Sequence, residues 1–408
     1  MSAESMPQAG IPEPGSSEPG SSEPGSTGTG STETAGTGTG AEPGTSRPRG
    51  RGGRGCRRKP RSGRSKALLV TAWTAAGILV LGGTGAGYVY FKLNGNLKSV
   101  DINQALGSER PMKVDNGSQN ILVLGSDTRS GSNKELGGGT DDGSARSDTA
   151  MVVHVYEGHK KASVVSIPRD TLVDRPACTD TNGTRHAAAS GVMFNSAYST
   201  GGAACAVKTV ESLTGIRMDH YLEVDFSGFQ KLIDDLGGVT VTTTRNIEDA
   251  ESHLHLKAGT HTLTGKQALG LVRTRHGVGD GSDLGRIQLQ QAFIKALVDQ
   301  VGQVGVLTSP KKLFDLADTA TKAVTTDSDL GSVNSLMDFA NGLKGIGSSH
   351  MKMVTMPVQY DPTNPNRVVV AEAKAKQVWT ALSNDLPIPP SATKGTATGG
   401  AKGVVTAS

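Results

Sequence analysis

RSDTAMVVHVYEGHKKASVVSIPRD, residues 146–170, decides how this chain folds. It holds two apolar runs, TAMVVHVY (149–156) and ASVVSI (162–167), separated only by the polar EGHKK. Such valine-rich runs fit strands buried on both faces. Five residues close a hairpin but are too few for a helical crossover, so the two strands are expected to be antiparallel. Upstream, NILVLG (120–125) reads as a third strand. Downstream come HYLEVDF (220–226), with Leu222, Val224 and Phe226 on one face, and VTVTTT (239–244).

Helical patterns alternate with these strands. FSGFQKLIDDLGG (226–238) has Ser227 as its expected N-cap, an apolar stripe of Phe229, Leu232, Ile233 and Leu236, and Gly237 as a stop. Residues 203–214 are expected to form a second helix. RIQLQQAFIKALVDQV (286–301) is a third, with Ile287, Ile294, Val298 and Val301 on one face and Leu289, Phe293 and Leu297 beside it. Alternating strands and helices indicate a layered α/β domain, and the hairpin makes its sheet mixed.

Outside this region the composition changes. The chain has 42 basic and 38 acidic residues in 408 positions. Ten basic residues and no acids lie in RPRGRGGRGCRRKPRSGRSK (47–66), leaving 32 basic against 38 acidic elsewhere, a net of −6. That sign argues against nucleic acid as a partner of the folded region. Residues 1–46 are rich in Gly, Ser, Pro, Thr and Glu and repeat EPGSS, EPGSS, EPGST at 13–27. Segment 1–66 and the tail 391–408 are therefore expected to be disordered.

ALLVTAWTAAGILVLGGTGAGYVYF (67–91) carries no charge. As a helix it would span ~37 Å, enough for a ~30 Å hydrocarbon core. The basic run before it places 1–66 in the cytoplasm and 92–408 outside, a single-pass signal anchor in the cell membrane. The basic run also suits anionic lipid head groups. Residues 92–119 then read as an extracellular linker. Cys178 and Cys205 fall outside, where a disulfide forms, and Cys56 inside; two separate buried thiols are the other reading.

Charged residues sit at the tips of the three apolar strands: Asp127 and Arg129, Arg146 and Asp148, Arg169 and Asp170. If the strands run up, down and up, all six meet at one edge of the sheet, where open α/β sheets bind ligands. Arg273 and Arg275, two apart, share a face if their backbone is extended. Arg286 opens the next helix, where an anion is favoured. Excess guanidinium suits a phosphate or pyrophosphate, and spare carboxylates suit a hard cation such as Mg²⁺ or Mn²⁺. No G-x-x-x-x-G-K-[ST] loop is present, so P-loop nucleotide chemistry is not expected.

The ordered strings NILVLGSDTR, ARSDTAMVVHV, SIPRDT, FNSAY, LEVDFSGFQKLIDDLGGV, GKQALGLVRTRH and GSDLGRIQLQQ resemble the LytR–CpsA–Psr family of membrane-anchored wall enzymes. The resemblance covers about 120–307, with a weaker continuation to 386. It implies a three-layer α/β/α catalytic domain over 120–307, with 308–390 as an extension packed on it. It implies transfer of a glycopolymer from undecaprenyl pyrophosphate to the muramic acid 6-hydroxyl of peptidoglycan. It places the metal on Asp127 and Asp148, and the pyrophosphate on Arg146, Arg169, Arg273, Arg275 and Arg286. Arg275 would hold charge growing on the reacting group, and Asp148 or Asp170 would take the hydroxyl proton. The family often has an arginine where this chain has Leu289. Two other readings remain at this point: a non-enzymatic, membrane-tethered binder of anionic wall polymer or envelope regulator, and a hydrolase of lipid pyrophosphates.

Overall fold

The structure, a computed structural model, describes residues 83–127, 146–303 and 309–407, without the side chains of 127, 146 and 303. The segment 1–66, most of the expected anchor (67–82) and the glycine-rich loop 130–145 lie outside the described residues. Among the described residues no helix is long and apolar enough to cross a membrane.

The centre is a seven-stranded mixed sheet. Its order is β1 (Lys98–Val100), β14 (Val324–Asp327), β9 (His220–Asp225), β2 (Gln119–Asp127), β3 (Arg146–Val155), β4 (Ala162–Ile167) and β15 (Met351–Thr355). β2, β3 and β4 are successively antiparallel, with Asn120 opposite His154 and Val153 opposite Val164. β9 and β15 join them in parallel. The three strands therefore run up, down and up, as their connections require.

Helices cover both faces, and this explains why the central strands are apolar throughout. On one face α3 (Asn195–Thr214), α2 (Ile102–Leu106) and α9 (Glu372–Ser383) bury Leu122, Leu124, Val152, Val165 and Tyr221. On the other lie α4 (Phe226–Asp235), α5 (Gly265–Arg273) and α6 (Asp283–Gln303). α8 (Val333–Leu343) packs its Phe339 and Leu343 near Ile121 and Val155. Helix α1 runs over 83–96, and α7 (Pro310–Ala323) lies against α4.

Smaller sheets surround this frame. β5 (Thr171–Arg175), β8 (Ala189–Met193), β16 (Val358–Tyr360) and β17 (Val368–Val370) form one. β10 (Val239–Thr243), β13 (Gly259–Leu263) and β18 (Val405–Ala407) form another, and β11 (Ile247–Asp249) pairs with β12 (Leu254–Leu256). β6 (Cys178–Thr179) pairs with β7 (Arg185–His186). Cys178 and Cys205 are joined in a disulfide between β6 and α3, a link worth ~3 kcal/mol in the chain-entropy account.

Several expectations need correction. The helix expected over 203–214 is present; within α3 a further helical segment over 195–200 precedes it, and Gly201 (φ −150°) and Gly202 (φ +62°) break the helical path between the two. A Cβ on Gly201 would come within 2.3 Å of the Cys205 sulfur, so glycine is required there. Asp225, not Ser227, caps α4: its carboxylate accepts from the Gly228 N–H at 2.7 Å. α6 buries Ile287, Leu289, Phe293 and Ala296, whereas Val301 is exposed. Residues 92–119 and 308–390 are not appendages, since β1, β14 and β15 are strands of the central sheet.

The tail 391–407 is not disordered. β18 completes a sheet against β10, with Thr242 opposite Thr406. Ala392, Ala401, Val404 and Val405 are buried. Gly399 O accepts from the Asp280 N–H at 2.9 Å, so the tail also supports the loop before α6. Its Gly- and Thr-rich composition looks disordered because its pairing partner lies far away in sequence. Truncation after Pro390 is expected to lower Tm by roughly 5–10 °C, since two buried valines alone contribute ~3 kcal/mol. Differential scanning calorimetry checks this; an unchanged Tm contradicts the packing described.

Candidate active site

The site begins with an irregularity in the first hairpin. Gly125 pairs with Thr149 and Ser126 with Ser147, which leaves Asp148 as the extra residue of a β-bulge. Bulges re-aim side chains at sheet edges. Asp127 then pairs with Arg146, so the backbone brings Asp127, Arg146 and Asp148 to one edge. The side chains of Asp127 and Arg146 lie outside what the structure describes.

β4 delivers the next pair to the same edge. Pro168, Arg169 and Asp170 form a tight turn into β5, closed by the Thr171 N–H donating to Pro168 O at 3.1 Å. Arg169 Nη1 donates to Asp148 Oδ1 at 2.5 Å, and its backbone N–H donates to Asp283 Oδ2 at 3.1 Å. Asp283 is the first residue of α6, where the helix dipole favours a carboxylate. It also pairs with Arg286, whose Nη2 donates to Asp148 O at 2.7 Å. Arg286 therefore sits one turn inside α6, almost fully buried, and reaches back to the strand tip.

Arg273 and Arg275 do not lie on an extended strand. Arg273 is the last residue of α5, with its guanidinium 5.3 Å from the Phe226 ring centroid. Arg275 follows in a loop whose Arg275 and His276 N–H groups both donate to Asp249 Oδ2. The buried Thr274 between them donates to Gly270 O at 2.9 Å and so fixes where the helix turns out.

Burial would raise the Asp148 pKa. The charges of Arg286, Arg169 and Arg273, with the Arg169 hydrogen bond, outweigh burial and hold it below the usual carboxylate value. Burial pulls the Arg286 guanidinium down, and the like charges of Arg169 and Arg275 add to that effect against Asp283. Among the described residues, the Nε atoms of Arg169, Arg275 and Arg286 are buried without a hydrogen-bond partner. Each buried donor left unpaired costs about 1–3 kcal/mol. Three of them converging around one strand edge fit an oxyanion.

Two spaces adjoin this cluster. A cavity of about 330 Å³ lies between the sheet and helices α4, α5 and α6, lined by Val123, Met151, Val164, Phe229, Phe293 and Leu297 among others. Its lining is apolar apart from Thr149 and Gln290. Thr149, Phe226 and Gln290 connect it to the charges, lying next to Asp148, under Arg273 and one turn beyond Arg286. Gln290 Nε2 donates to Thr149 Oγ1 and Val272 O. Leu289 is a core residue, fully buried in the apolar cluster with Phe293 and Leu271. The second space is a polar cleft of about 480 Å³ beside Arg169, Asp170 and Arg275.

Sequence reading did not assign Asp283 a role, although it stands in the quoted GSDLGR. It did not find Tyr360, Asn366 or Arg367, which border the polar cleft from the turn between β16 and β17. Arg367 Nη1 lies 3.8 Å from Asp170 Oδ1. These residues are almost 200 positions away from Asp170, and no local signal links them.

Aspartate side chains offer hard oxygen donors of the type that Mg²⁺ and Mn²⁺ take. The ionised Asp148 fits such a role. Among the described residues no group of three or more His, Cys, Asp or Glu gathers as a ready-made metal site. Mg²⁺, which keeps waters and shares substrate phosphates, does not need one.

Known proteins resemble this chain in sequence and fold. LcpA of Corynebacterium glutamicum, a cell wall biosynthesis protein, is 34% identical over 307 residues, 69% of this chain and 58% of LcpA. The polyisoprenyl-teichoic acid–peptidoglycan teichoic acid transferase TagT of Bacillus subtilis is 30% identical over 343 residues, 81% of this chain and 98% of TagT. The solved structure of TagT bound to LIIa-WTA superposes with a TM-score of 0.51 at 25% identity, covering 71% of this chain and 98% of that one. The family model for LytR_cpsA_psr matches residues 89–384, which takes in the central sheet from β1 to β15 and the whole charged edge, and the chain therefore belongs to the LytR_cpsA_psr family.

Proposed function

We propose that this protein is a membrane-anchored phosphotransferase that moves a glycopolymer from an undecaprenyl-pyrophosphate carrier to the muramic acid 6-hydroxyl of peptidoglycan. The observation that carries this reading is the set of three buried arginine Nε donors without a hydrogen-bond partner, at a strand edge that Thr149 and Gln290 link to an apolar cavity. A pyrophosphate satisfies the donors, and the first isoprene units of its lipid fill the cavity. The name of TagT, a teichoic acid transferase, supports the same reaction class.

The hydroxyl oxygen forms a bond to the phosphorus nearer the sugar. The bridging P–O bond breaks, and lipid monophosphate leaves with the electron pair. Such transfers need positioning and charge neutralisation more than covalent help. Arg169, Arg275 and Arg286 hold the phosphates, and Arg273 adds charge from above Phe226. Asp127 and Asp148 hold Mg²⁺ or Mn²⁺, which when bound neutralises phosphate charge. Asp148 is committed to Arg169, whereas Asp170 meets Arg169 and Arg367 only at 3.7 and 3.8 Å. Asp170 is thus the residue left to take the hydroxyl proton. Residues 67–91 tether the domain outside the membrane, where both substrates lie.

A turnover assay with a synthetic lipid-pyrophosphate sugar and peptidoglycan fragments tests this reading. Arg275→Ala and Asp127→Ala are each expected to lose roughly 10³-fold or more in turnover while remaining folded. Arg275→Lys should recover little, because it keeps the charge and loses the fork. Near wild-type transfer by both alanine variants would favour a non-enzymatic binder of wall polymer instead.

A further inference from the structure

The polar cleft beside Asp170 takes no lipid; Arg169 and Arg275, which hold the phosphates, form part of its wall, so it opens onto the reacting centre. It shares no lining residue with the apolar cavity, and the charged cluster stands between them. Thr149, adjacent to Asp148, lines the cavity, while Arg169, bonded to Asp148, lines the cleft. In phosphoryl transfer the attacking and leaving oxygens lie roughly in line across the phosphorus. If the leaving lipid phosphate points into the cavity, the attacking hydroxyl arrives from the side of the cleft.

The cleft combines charged and polar side chains with an aromatic ring, a lining that suits a polar ring system. Its volume, about 480 Å³, lies in the ~300–1,000 Å³ range of small-molecule sites. Tyr360 presents a ring that is 40% exposed, and its hydroxyl donates to Asp280 Oδ2 at 2.5 Å, which fixes the ring's position. A tyrosine held this way offers an apolar face with a wet rim. Around it stand Asn366, Arg367 and Ser282. Gly277 and Gly279, at φ +76° and +57°, shape the loop behind Asp280; a Cβ on Gly279 would lie 1.8 Å from Gly399 O. The C-terminal segment thereby holds one wall of the cleft in place.

We propose that this cleft is the acceptor-glycan subsite, in which Tyr360 stacks against a sugar ring while Asn366 and Arg367 hydrogen-bond its hydroxyl or amide groups. Asp170 lines this cleft beside Arg169, within reach of a hydroxyl that attacks from it. Tyr360 and Arg367 are specificity-determining residues for the acceptor and make no contact with the donor. This inference rests on the transferase reading above.

The test uses the full-length protein in detergent with a lipid-pyrophosphate disaccharide donor and soluble peptidoglycan glycan strands, each varied separately. Tyr360→Ala and Arg367→Ala are expected to raise the acceptor KM roughly tenfold or more, the loss of one good contact, with the donor KM moving less than about twofold. Tyr360→Phe keeps the ring and should keep the acceptor KM near wild type. An unchanged acceptor KM, or parallel rises in both KM values, would overturn the subsite while wild-type transfer upholds the transferase. Absence of transfer by the wild type would overturn the transferase reading and the subsite with it.

Discussion

Asp283 is the group on which the site depends. Its carboxylate pairs with the buried Arg286 guanidinium and accepts the backbone N–H of Arg169. One side chain therefore fixes the start of α6 to the turn after β4. Without it, Arg286 and Arg169 would be two like charges held close together in a poorly solvated place. Removing one partner of a buried pair costs about 3–5 kcal/mol, because the other charge is left uncompensated. Asp148 supplies the counter-charge of Arg169, and the guanidinium of Arg275 adds a further positive charge beside these pairs. A negatively charged ligand is what that further charge and the unbonded Nε donors leave room for.

Around that cluster the molecule separates apolar from polar space. Strands β2, β3, β4 and β9 contribute one apolar row to the cavity and a second to the core under α3. The same continuous valine-rich runs thus serve stability on one face and ligand enclosure on the other. A cavity lined almost wholly by carbon behind the charged edge is the setting that the proposed lipid pyrophosphate requires. The polar cleft on the far side is the setting proposed for the acceptor. This division follows from the sheet edge, where only the bulge at Asp148 interrupts the pairing.

The strand-tip charges were legible in the sequence because they depend only on local connection lengths. Once EGHKK is read as a hairpin, Asp127, Arg146, Asp148, Arg169 and Asp170 must share one edge. The placement of Arg273 was misread, although a signal was present. Thr264 and Gln267 form a capping box that starts α5, and the helix then runs to Arg273. The contributions of β14, β15 and β18 to sheets, and of Tyr360 and Arg367 to the cleft, were not legible. They rest on contacts between distant segments, which hydrophobic periodicity does not encode.

If the arginine cluster and the apolar cavity act as one site for a lipid pyrophosphate, affinity must depend on the length of the lipid. The most direct measurement is the affinity of the full-length protein for prenyl pyrophosphates of increasing chain length, with inorganic pyrophosphate as the reference. Each CH₂ that enters the cavity should add up to ~0.8 kcal/mol. Kd is thus expected to tighten with each isoprene unit and then level off once the cavity of about 330 Å³ is filled. A Kd that is independent of chain length, equal to that of inorganic pyrophosphate, would contradict the account.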